Sequence, residues 1–243
     1  MRSINHNLRL STATLLAMLL GGYLFAAHAE GANDGLRDIN RVNGRIEIQA
    51  EERVGDVSSV NGSIHIATGG QAQRVHTVNG SIQLDHGSRI SKADTVNGGI
   101  EVDDRAEVTG TLSTVNGGIR LQRDVRINGS VSAVNGSIRM EEGSEVRGEV
   151  RNVNGPVRLR NSSVGEDLLT TNGDVELRDE TVVHGDVVFR ERRGWFNRFF
   201  HFHDDPELRI DASSSVEGDI HLYRKVDLHI DPAAKVGEVI RHY

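Results

Sequence analysis

The sequence predicts an all-β chain: a single-stranded parallel β-solenoid (β-helix) of roughly ten 18–19-residue coils. Three observations predict it. Asn-Gly recurs at Asn43, Asn61, Asn79, Asn97, Asn116, Asn135, Asn154 and Asn172, at successive intervals of 18, 18, 18, 19, 19, 19 and 18 residues. Apolar residues are locked to that asparagine at fixed offsets. Glycine and β-branched residues fill each unit, which argues against helix.

The chain opens on a basic and then apolar segment. Arg2 and Arg9 precede an almost wholly apolar run from Leu15 to Ala27, and Ala27-His28-Ala29 gives the small–x–small pattern of a cleavage site. Residues 1–29 are therefore expected to be a secretory signal peptide cleaved after Ala29, leaving a β-solenoid domain over 30–243. The chain has no cysteine, hence no lipobox and no disulfide. A periplasmic or secreted location is expected. Losing Arg2 and Arg9 moves the net charge from −7 to −9, which disfavours nucleic acid as a partner.

The repeat itself dictates short strands. Three residues after each asparagine stand Ile46, Ile64, Ile82, Ile100, Ile119, Ile138, Val157 and Val175. Five after it stand Ile48, Ile66, Leu84, Val102, Leu121, Met140, Leu159 and Leu177. That period of two marks a strand with one buried face. Four before the asparagine stand Ile39, Val57, Val75, Ala93, Leu112, Val131, Val150 and Leu168. Positions −4 and −1 are read as a second short segment meeting the first at the Asn-Gly corner. A coil cannot bury its own face, so coils must stack and share one core.

The corner is expected to use the tolerance of Asn and Gly for positive φ, and the stacked asparagines to form an amide ladder. The step to 19 residues coincides with Gly110, Gly129 and Gly148, six residues before the asparagine, and predicts a wider corner there. Beyond Asn172 the looser patterns Val182–Gly185–Val187–Phe189 and Val216–Gly218–Ile220–Leu222 read as further coils, and Val236 to Ile240 as the last. Residues 31–38 and the tail Arg241-His242-Tyr243 are the candidate end caps.

The Val-Asn-Gly-Ser-Ile repeats over about residues 36–189 resemble a bacterial adhesin-like family of β-strand repeat domains whose function is unknown. The resemblance implies a β-solenoid at the cell envelope and implies no activity. The Val–x–x–Gly–x–Val coils of the C-terminal part also resemble bactofilins, which are cytosolic filament formers; the signal peptide speaks against that equivalence.

Four groups are candidate sites. An insertion at 190–206 breaks the repeat with Arg192, Arg193, Trp195, Phe196, Arg198, Phe199, Phe200 and Phe202. Its aromatics fall on one face of a short helix, which suits a partner groove or a membrane interface, or else a cover for a flank of the solenoid. His201 and His203 are two ligand types without a third, so no metal and no cofactor is expected. Arg120, Arg139 and Arg158 stack outward on consecutive rungs, ~4.8 Å apart. They are either neutralised by Glu101, Glu176 and Glu141 or form a site for an anionic glycan. Asp85, Asp103 and Asp104 form an acidic counterpart, read as a solvated face because a positioned base is absent from those coils.

No nucleophile motif is present. The expected function is a non-catalytic envelope scaffold or binding module, adhesin-like, whose partner is an envelope protein or anionic glycan. The alternatives are a glycan-active β-helix enzyme and a structural protein that self-associates through its terminal coils.

Overall fold

A computed structural model describes residues 35–191 and 205–243, and the solenoid unit spans Leu36–Tyr243. The expected signal peptide at 1–29 lies outside the described residues. So do Arg192, Arg193, Trp195, Phe196, Arg198, Phe199, Phe200, His201, Phe202 and His203 of the insertion.

The chain is all-β and winds as a parallel β-solenoid of about ten turns. From Asn43 to Asn154 each coil contributes a strand ending at its asparagine, such as Leu112–Asn116, then a strand of three or four residues after the corner, such as Ile119–Leu121. The post-corner strands stack as a 10-stranded sheet from Ile46–Ile48 to Asp227–Ile230. The remaining strands make a 17-stranded sheet. All pairings run parallel and in register, so that Ile100, Ile119, Ile138 and Val157 lie over one another.

The post-corner strands behave as the spacing requires. Every residue at +3 and +5 is buried, as is every residue at −4 except the half-buried Ile39 of the first coil. The expected second segment, from −4 to the asparagine, is also a strand, as at Leu112–Asn116, and position −1 lies on its outer side. Its valines are exposed or half-buried, as at Val42, 64% exposed, and Val60, 42%, with Val115 alone buried. The inward partner of −4 is −2, as alternation along a strand demands. There the core takes polar residues: Ser59, Thr77, Thr95, Thr114, Asn152 and Thr170 are all buried. Thr95 Oγ1 donates to the carbonyl of Gly80 at 2.9 Å and Thr114 Oγ1 to that of Gly98 at 2.8 Å. The buried hydroxyl thus meets the corner carbonyl of the coil before it, which would otherwise be left without a full set of partners.

The reason for glycine at the corner is corrected. The ladder asparagines do not have positive φ, and of the glycines after them only Gly44 and Gly155 do. A Cβ at Gly117 would instead run into the Gly98 carbonyl, and one at Gly136 into that of Gly117. Glycine is needed because the stacked backbones touch. Positive φ sits at the turn after the post-corner strand, at Glu51, Gly69, Gly87, Arg105, Asp124, Gly143, Asn161 and Asp179. The expected ladder chemistry is on the outside: Asn79 Nδ2 donates to Asn61 Oδ1 at 2.8 Å, and equivalent bonds join all eight asparagines.

The wider corner has a simple origin. Gln71–Asn79 and Arg89–Asn97 are single nine-residue strands. In the next coil Val108 pairs with Ile90 and Leu112 with Ala93, so one extra residue lies between them. That residue, with Gly110, breaks the long strand into Glu107–Val108 and Leu112–Asn116. The two expected coils after Asn172 are present, with Val187–Phe189 and Ile220–Leu222 as rungs, and Val239–Arg241 is the last strand. The tail is not an end cap. The His242 amide donates to Leu222 and its ring stacks on Tyr223 at 4.2 Å, so it continues the side of the solenoid.

Candidate functional site

The outer face of the 10-stranded sheet carries the charged candidates. Position +4 projects outward between two buried residues, and the register places Glu101, Arg120, Arg139, Arg158 and Glu176 on five successive rungs. The glutamates at the two ends neutralise their neighbours. Arg120 Nη1 lies 3.7 Å from Glu101 Oε1, and Arg158 Nε lies 3.5 Å from Glu176 Oε2. Glu176 also pairs with Arg178.

Arg139 has no such partner. Glu141, the expected neutraliser, makes no ion pair with Arg139; it lines a groove around the turns with Arg123 and Arg160. Those arginines already hold Asp104 at 3.0 Å and Asp179 at 2.6 Å. No ion pair to Arg139 is formed among the described residues. Arg139 thus stands between two arginines without a counter-ion of its own, and like charges on adjacent rungs repel.

Beside Arg120 and Arg139 runs a shallow groove. Its floor is Gly99 and Gly118, the two corners that read Asn-Gly-Gly, and Ser81 and Ser137 of the flanking Asn-Gly-Ser corners stand at its ends. Gln83 and Glu101 continue the arginine side. The groove exists because two consecutive rungs lack a side chain at that position. The sequence carried the signal in the paired Asn-Gly-Gly units, and the spacing of the arginines alone did not reveal it.

The acidic counterpart lies on the same face, toward the N-terminus. Asp85 and Asp103 follow the paired residues Leu84 and Val102 and so stand on adjacent rungs. A histidine belongs to this group, contrary to the expectation that no base is near: His65 Nε2 lies 2.8 Å from Asp85 Oδ2. Burial raises the Asp103 carboxyl above its ordinary value, helped by the charges of Asp85, Glu101 and Asp104 and opposed by His65. Asp104 is held below its ordinary value, chiefly by the Arg123 amide.

Comparison of the chain with protein-family models, with curated proteins and with solved structures gives no match in any of the three. The reading of this face therefore rests on its own chemistry.

The outer face of the large sheet holds one more charged group. Asp94, although buried, pairs with His76 and lies 3.5 Å from Lys92 Nζ. Ser58 stands one rung before His76, but its hydroxyl donates to Asn40 Oδ1.

Proposed function

We propose that this protein is an exported, non-catalytic envelope scaffold that binds an acidic glycan on the outer face of its 10-stranded sheet. The observation that carries the reading is Arg139, unpaired between Arg120 and Arg158 at the edge of the groove floored by Gly99 and Gly118. A guanidinium row at rung spacing, ~4.8 Å, suits the regularly repeated carboxylates or phosphates of an extended acidic polysaccharide. Ser81, Ser137 and Gln83 offer hydroxyl and amide groups to the neutral parts of the same chain. With a net charge of −7 the protein as a whole repels polyanions, so binding must be local to this row. The aromatic-basic arm is, in this reading, a second contact for a protein or membrane partner.

Calorimetric titration with polygalacturonate, against neutral dextran as control, tests the reading. Changing Arg120, Arg139 and Arg158 together to Gln should weaken binding at least tenfold. Unchanged binding in that variant would refute it.

The His65–Asp85–Asp103 group supports a second reading, a glycan-active enzyme. Asp85 and Asp103 stand on adjacent rungs, a pair of carboxylates such as glycoside hydrolases use, and Asp103 with its raised carboxyl would be the acid. Hydrolysis of an acidic polysaccharide that disappears in Asp103→Asn would favour this reading over the scaffold.

A further inference from the structure

The two ends of the solenoid differ. In the first coil Ile46, Ile48 and Val54 are no more than 2% exposed. In the last coil the corresponding inward residues Leu228, Ile230, Val236 and Val239 are only half-buried, whereas Leu208, Ile210, Val216 and Ile220 of the preceding coil are fully buried. Among the described residues the apolar core is therefore more open at its C-terminal end than at the first coil, where Ile39 is half-buried.

That end is also an unpaired backbone edge. Among the described residues the strand Asp227–Ile230 pairs only with Glu207–Ile210. The amides of Asp227 and Asp231 donate back to Pro206 and Ile210. By the alternation of a β-ladder, the N–H and C=O of Leu228 and Ile230 then point out of the end. Such an edge is a template for another strand.

The sequence of the edge says which strand fits. Val226-Asp227-Leu228-His229-Ile230 reads apolar, acidic, apolar, basic, apolar, with the apolar residues half-buried inward and the charged ones exposed outward. A two-fold axis through Leu228 pairs the strand antiparallel with its own copy. Leu228 then meets Leu228 as a hydrogen-bonded pair, Val226 meets Ile230 on the core side, and Asp227 meets His229 on the outer side, twice. Shifting the centre to His229 would set Asp227 against Asp231. The self-complementarity is thus specific to one register.

We infer that two copies of this protein join tail to tail, the edge strand of each continuing the 10-stranded sheet of the other and closing both cores. Because Ile46, Ile48 and Val54 are covered and only Ile39 is half-buried, the opposite ends offer a smaller apolar surface, and assembly stops at two. This inference is independent of glycan binding. If both hold, the dimer presents two arginine rows on one continuous sheet.

The chain has no cysteine, which gives a clean test. A hydrogen-bonded antiparallel pair sets Cα atoms ~5.5 Å apart, within disulfide reach. Leu228→Cys should cross-link to a dimer in air, while Ile230→Cys, which would face Val226 of the other copy, should not. A charge swap checks the register without touching the core. In sedimentation experiments Asp227→Lys should weaken the dimer about tenfold, and adding His229→Glu in the same chain should restore it. A wild-type protein that stays monomeric at the highest concentrations, or that grows without limit past two copies, overturns the inference. So does equal cross-linking by both cysteine variants.

Discussion

Arg224 Nη1 donates to Asn172 Oδ1 at 2.8 Å and to the Thr171 carbonyl at 3.0 Å, ending the asparagine ladder with a cation contributed from 52 residues further along the chain. Each amide in the ladder accepts from the asparagine of the next coil, and Asn172 has no asparagine after it. The arginine supplies the missing donor. Asn116→Ala removes two ladder bonds, to Asn97 and from Asn135, each 2.9 Å. Exposed neutral hydrogen bonds contribute ~0.5–1.5 kcal/mol each. Urea denaturation should show a loss of about 1–3 kcal/mol for Asn116→Ala. Arg224→Met, which removes a charged donor at the ladder's end, should cost a similar amount and no less.

The core register gives a sharper contrast. Ile119 is buried with Ile100 below and Ile138 above it, whereas Val60 at position −1 is 42% exposed. Ile119→Ala should cost ~2–5 kcal/mol through the cavity it leaves. Val60→Ala should cost well under half of that. Equal losses in thermal or urea unfolding would mean that the alternation is assigned to the wrong face.

Glycine at the corner is a test of mechanism as much as of stability. Gly87 has positive φ and nothing near the place of its absent Cβ, while Gly117 has an ordinary φ and the Gly98 carbonyl in the way. Gly87→Ala should cost only the left-handed strain, ~1–2 kcal/mol. Gly117→Ala must push two coils apart and should lower the unfolding midpoint distinctly more. The reverse order would restore the conformational explanation of the corner.

These positions show what could be read in advance. The offsets +3, +5 and −4 gave the stack and its core because a strand has only two faces and a repeat samples the same face eight times. The same repetition did not say which face position −1 takes. Valine there is as regular as at −4, but regularity reports β-preference as well as burial, and the buried residues at −2 are threonines and serines that look like surface. That Arg139 makes no ion pair was unreadable for a different reason: Glu141 is two residues away in sequence, yet it belongs to the turn and lines the other groove with Arg160. His65 and Asp85 are 20 residues apart, and only the coil length brings the ring onto the carboxylate.

Arg139 should behave unlike its neighbours. Replacing Arg120 by Gln leaves Glu101 without its 3.7 Å partner, and replacing Arg158 by Gln removes one of two cations from Glu176. Arg139→Gln removes only repulsion. In low salt its unfolding midpoint should equal or exceed that of the unaltered protein, and added salt should erase the difference, because screening acts on exposed charges. A clear destabilisation by Arg139→Gln at low salt would show that the row is neutralised after all.

Asp103 fixes the sign of a pH effect. Its carboxyl is raised above the ordinary 3.8, first by burial and then by Asp85, Glu101 and Asp104. The folded state therefore binds this proton more tightly than the unfolded state does. Stability associated with the group is fully present below 3.8 and is lost as pH rises through the raised folded value. Asp103→Asn keeps the shape and removes the titration. At neutral pH the variant should be the more stable protein, and the gap should shrink on acidification and vanish once the unfolded carboxyl is protonated too. A gap that instead widened toward acid would mean that the ionised Asp103 is favoured in the fold, through His65 or Arg123, and that the crowding of carboxylates on adjacent rungs is relieved by those cations.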